Sequence, residues 1–106
     1  MTENTDDRVW VINTITVQPG KAQIVADLQV ELVDEVKKDW PGFISQHTLI
    51  ALDGSHVATV EAWADFATLK AIVEDERLLE YRARIAEHAT LAPVPYKVVG
   101  DTTAAE

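Results

Sequence analysis

The chain has 106 residues, enough for one domain with a modest core, and its 47% hydrophobic and 25% charged residues suit an ordinary globular protein. A net charge of −9, from 18 acidic and 9 basic residues, argues against nucleic acid or an anionic membrane surface as partner, because both reward clustered Lys and Arg. The absence of cysteine excludes disulfides, thiolate chemistry and Cys-ligated metals, and no apolar run approaches the ~20 residues of a membrane span.

Residues 1–7 are polar and acidic, the opposite of a signal peptide's start, so the expected address is the cytoplasm. This segment and residues 100–106 have the composition of flexible ends, leaving 8–99 as the folded domain. Residues 8–17 alternate as a strand, with Val9, Val11, Asn13, Ile15 and Val17 on one side, and Pro19-Gly20 ends it. A buried amide without partners costs roughly 1–3 kcal/mol, so Asn13 is either satisfied by neighbouring backbone or lines a pocket. From Lys21 to about Lys38, Ile24, Leu28, Leu32 and Val36 recur every four residues, the pattern of an amphipathic helix, which Trp40-Pro41-Gly42 stops.

Phe43 to Leu52 reads as a second strand, with Phe43, Leu49 and Ala51 opposing Ile44 and Ile50. Asp53-Gly54 marks a hairpin, and His56 to Trp63 returns antiparallel, with Val57, Thr59, Glu61 and Trp63 on one face. Asp65 can cap a second helix carrying Phe66, Leu69, Ile72 and Val73, and Glu74-Asp75-Glu76 interrupts it. A further helical run carries Leu78, Leu79, Arg82, Ile85 and Ala89. Pro93 and Pro95 bracket a turn before a short last strand, Tyr96 to Val99. The order is that of an α+β, ferredoxin-like βαββαβ fold with a four-stranded antiparallel sheet. Its helices cover one sheet face only, yet both faces carry apolar groups, so the sheet is expected to pair with a second copy as a homodimer.

Arg82 sits in an apolar stripe, where its guanidinium either reaches solvent or an acid, or faces a cavity as a donor to an anionic oxygen. Trp63 is either core or an apolar pocket wall offering one indole N–H. His47 and His88 are the plausible acid–base groups. The three histidines have no metal-ligand spacing, and the sequence holds no phosphate loop, Gly-x-Gly-x-x-Gly or nucleophile elbow. An enzyme with this sequence is expected to work without cofactor or metal.

Three segments carry a resemblance: Val11 to Gly20 with its strand Asn, Pro41-Gly42-Phe43, and Val60-Glu61-Ala62-Trp63. In this order and spacing they are similar to the antibiotic biosynthesis monooxygenase family over roughly residues 8–99. The resemblance implies dimeric α+β barrels with a pocket between helices and sheet. The best-understood members are cofactor-free oxygenases that turn anthrones into quinones with molecular oxygen. It also implies catalytic roles for Asn13, Trp63 and Arg82, and substrate-binding roles for His47, Thr59, Leu69, Tyr81 and His88. Some relatives carry a second Asn where this chain has Thr59. A branch that degrades haem uses a helix His, whose position falls at or beside Arg82, with His88 nearly two turns further on, so haem is not expected. The leading expectation is a cofactor-independent monooxygenase acting on an anthrone-like or quinol substrate. The alternatives are a non-catalytic small-ligand-binding dimer and, third, a haem-binding or haem-degrading protein.

Overall fold

The computed structural model of the protein describes residues 7–104. Of the expected flexible ends, 1–7 and 100–106, residues 1–6 and 105–106 lie outside the described residues. Strand β1 (Val9–Val17) leads to helix α1 (Ala22–Leu32), which continues without a break into a π-helical turn, Val33–Lys37. Strands β2 (Phe43–Ile50) and β3 (His56–Trp63) form the hairpin, and helices α2 (Phe66–Ile72) and α3 (Glu76–Ala86) follow. Strands β4 (Ala89–Thr90) and β5 (Pro93–Lys97) end the fold. The sheet runs β2-β3-β1, with β4 and β5 sharing the far edge of β1, all antiparallel. This is the expected ferredoxin-like architecture. Among the described residues no helix is long and apolar enough to cross a membrane.

Local chemistry explains the boundaries. Asp65 accepts the Thr68 backbone N–H at 2.8 Å and Asp75 accepts that of Arg77 at 2.8 Å, so each carboxylate caps a helix start and the acidic run divides α2 from α3. Gly54 turns the hairpin at φ +76° and Gly42 enters β2 at φ +90°, where a Cβ would also run into Thr68.

Four sequence expectations are corrected. The last strand begins at Pro93 rather than Tyr96, and the two prolines lie within it. An edge strand tolerates them because their missing N–H groups need not serve the ladder. Leu32 and Val36 of the expected stripe are buried and Leu28 is half-buried, but Ile24 is 42% exposed, and at the start of α1 the buried face is set by Val25, Ala26 and Gln29 instead. The helix does not run regularly to Lys38, because Lys38 N–H reaches back to the Val33 carbonyl and widens the last turn. A bulge between Phe43 and Ser45 flips the parity of β2, so Phe43 packs edge-on against Trp63 on the helix side, with ring centroids 5.2 Å apart.

The apolar core is divided. One cluster holds Val11, Leu32, Val36, Trp63, Ile72 and Leu78, and another holds Ile15, Val25, Val57 and Ile85. Along β1 the two are separated by Asn13, which stands directly opposite Thr59 of β3. A polar seam therefore crosses the middle of the sheet, beneath the helices.

Candidate functional site

Asn13 resolves the sequence ambiguity in both senses at once. Its Oδ1 accepts the Ala92 backbone N–H at 3.0 Å, holding the segment between β4 and β5 against β1. Its amide N–H groups make no hydrogen bond among the described residues, and the side chain lines a small chamber between sheet and helices. The chamber measures about 20 Å³, room for one water or the oxygen end of a ligand. Gln29, Lys37, Glu61 and Arg82 bring polar groups to its wall, and Trp63 and Leu69 are among its apolar members.

An outer cavity of about 270 Å³ shares Val11, Leu69, Val73 and Arg82 with the chamber. Phe66, Pro93 and Pro95, all exposed, form its rim. The outer cavity is thus mostly apolar, with Lys70 and Arg82 as its charged members, and the other polar groups are concentrated in the chamber. Arg82 stands at the junction, half-buried, so of its two sequence readings the cavity-facing one describes its position.

The chamber's charges are organised by strand parity and by the π turn. Glu61 lies two residues before Trp63 and so faces the same side; its Oε1 accepts the Trp63 indole N–H at 2.9 Å and pairs with Lys37 Nζ at 3.2 Å. Lys37 also donates to Gln46 Oε1 at 2.8 Å, and Gln46 donates to Thr48 Oγ1 at 3.2 Å. Lys37 and Glu61 are 4% and 6% exposed. Burial pushes the Lys37 ammonium below its ordinary pKa, opposed by the charge and hydrogen bond of Glu61. The Thr59 hydroxyl, opposite Asn13, is buried with no hydrogen-bond partner among the described residues.

The structure gathers Asn13, Trp63, Arg82 and Leu69 on one chamber and puts Thr59 beside Asn13. The indole N–H of Trp63 is committed to Glu61, which corrects its expected availability to a ligand. Three other expected residues fall elsewhere. His47 is exposed on the helix-free sheet face, because the β2 bulge sets its parity. Tyr81 gives its hydroxyl to Glu31 on the surface at 3.1 Å. His88 follows the end of α3, where its carbonyl accepts Gln18 N–H. Sequence reasoning missed Gln29, Lys37 and Glu61. Glu61 was legible from its shared face with Trp63, and Gln29 from its place four residues after Val25, whereas nothing in the residue spacing announces the π turn that carries Lys37 inward.

No curated protein matches the sequence. The crystal structure of SnoaB, a cofactor-independent oxygenase from Streptomyces nogalater, superposes with a TM-score of 0.80 at 16% identity, covering 90% of this chain and 96% of that one. The structure of Rv0793 from Mycobacterium tuberculosis gives 0.77 at 18% identity, covering 91% and 99%. A crystal structure described as an antibiotic biosynthesis monooxygenase gives 0.75 at 22% identity, covering 87% and 99%. At these identities the likeness is one of fold. A sequence profile described as "Antibiotic biosynthesis monooxygenase" matches residues 8–84, and the chain belongs to that family.

Proposed function

We propose that the protein is a cofactor-independent monooxygenase that oxidises an anthrone-like or quinol substrate with molecular oxygen. The observation that carries this reading is the two-part cavity, mostly apolar outside and polar at its inner end. A cavity of about 150 Å³ takes one benzene ring, so the outer space of about 270 Å³ suits two fused rings, with further rings over the exposed rim. The substrate's oxygen then meets the free Asn13 amide N–H groups and the Arg82 guanidinium. Fixed donors aimed at a developing oxyanion stabilise the substrate anion that passes electrons to oxygen. A site closed to bulk water strengthens that interaction. The fold likeness to a cofactor-independent oxygenase supports the same reading. Oxygen uptake with anthrone and with a naphthoquinol, followed by an electrode, tests it. Uptake well above the uncatalysed background is expected; background rates with either compound favour a non-catalytic ligand-binding protein.

The working unit in this proposal is a homodimer joined through the helix-free sheet face. That face presents Trp10, Ile12, Val60 and Val94, with Leu49 and Tyr96 52% and 48% exposed. Stable interfaces bury at least roughly 1,200 Å² in total, which a sheet of this size can supply. Light scattering at micromolar concentration should give a dimer's mass, and a monomer's mass for Leu49→Asp/Tyr96→Asp. A wild-type monomer refutes the arrangement.

A further inference from the structure

We infer that Glu61 is the catalytic base that takes the substrate's proton, a role that rests on the oxygenase reading above. Among the described residues, Glu61 supplies the single carboxylate on the chamber wall. Its two oxygens are treated differently by the fold. Oε1 is held twice, by Trp63 Nε1 and Lys37 Nζ, and Lys37 is itself fixed through Gln46 to Thr48. Oε2 makes no hydrogen bond among the described residues. An ion pair serving stability alone gains from having every lone pair satisfied. Here one oxygen is locked and the other is left for the chamber. The groups expected from sequence to move a proton, His47 and His88, are outside the cavity, so this carboxylate is the base within reach. Lys37 acts as its positioning residue, and Lys37 and Arg82 are the cations that face it.

The chemistry balances. Glu61 Oε2 removes the O–H proton of the substrate's enol (anthrol) tautomer, whose oxygen is the group the chamber admits, and the electron pair of the broken O–H bond remains on the substrate as an enolate held by Asn13 and Arg82. Molecular oxygen accepts electrons from that anion and forms a C–O bond, giving a peroxide anion. Protonated Glu61 returns its proton to the distal oxygen. The O–O bond then breaks, the second hydrogen leaves with the departing oxygen as water, and carbon is left as a ketone. Counted from the keto tautomer, one CH₂ and one O₂ become one C=O and one H₂O, and Glu61 ends ionised as it began.

The test is oxygen uptake by Glu61→Gln with anthrone across a pH series. Gln keeps an acceptor for Trp63 and Lys37 but cannot take a proton. At neutral pH kcat is expected to fall by about 10²–10⁴, with KM changed little. The loss should shrink as pH rises and anthrone ionises in solution, because a pre-formed anion needs no base. A loss equal at every pH overturns the assignment, as does turnover at the wild-type rate at neutral pH; both leave the oxygenase reading standing. No uptake by the wild type overturns that reading and this role together. Should Glu61→Gln fail to fold around the stranded ammonium, Lys37→Met/Glu61→Gln carries the same pH test without the buried charge.

Discussion

Lys37→Met is expected to lower folding stability by about 3–5 kcal/mol, because it leaves the buried Glu61 carboxylate and Gln46 Oε1 without the group that donates to both. The pair is almost wholly enclosed, and Oε1 of Glu61 keeps only the Trp63 indole N–H once the ammonium is gone. Lys37→Met/Glu61→Leu should recover most of the loss, since replacing both charges by apolar groups removes their desolvation cost. Chemical denaturation of the three proteins measures the difference. A fall below about 1 kcal/mol for the single variant would mean that the pair is as weakly coupled as surface ion pairs are. The pair also leaves a signature in alkali. Burial holds Lys37 below its ordinary 10.5 in the folded state, so between the folded value and 10.5 the unfolded chain binds more protons. Wild-type stability therefore gains a rising contribution with pH across that window, and Lys37→Met lacks it. Tyr81, whose phenol is pushed up by burial and by its bond to Glu31, slopes the other way in both proteins. The comparison isolates Lys37.

Asn13→Asp is expected to reduce oxygenase turnover by about 10²–10³, the usual cost of removing one preorganised donor to an oxyanion, with the fold intact. The reason lies in the division of labour within one amide. Asp keeps an oxygen to accept Ala92 N–H and loses the N–H groups that face the chamber. Its added charge has Arg82 on the same wall. Asn13→Ala should lose a comparable share of turnover and, in addition, about 1–3 kcal/mol of stability, because Ala92 N–H is left without its partner. Thermal melting beside oxygen uptake separates the two contributions. Wild-type turnover by Asn13→Asp would remove the amide N–H from the site.

The fold was legible because strand alternation and helix periodicity report which side of an element is buried, and Asp65, Asp53-Gly54 and Pro41-Gly42 mark where elements begin and turn. Those signals are local. Asn13, Trp63 and Arg82 could be picked out for the same reason, as polar or amphipathic groups within apolar stripes. What local pattern does not encode is a change of phase. The bulge after Phe43 moved that ring to the helix side and set His47 on the open sheet. The exposed Ile24 at the start of α1 drew the expected stripe away from Gln29. The partners of buried charges are set by tertiary packing, so the pairing of Lys37 with Glu61 had no sequence signature.

The π turn at Val33–Lys37 amounts to one residue more than a regular helix would use over the same stretch. Each residue of an α-helix advances about 100° around the axis. Shortening this stretch by one residue would therefore restore an unbroken α-helix and swing the position of Lys37 off the wall it now occupies. This chain shortened by one residue there would keep the same sheet and the same Asn13, Glu61 and Trp63, yet have a chamber of different net charge. Helix length at this point is thus a dial for ligand charge that leaves every strand untouched.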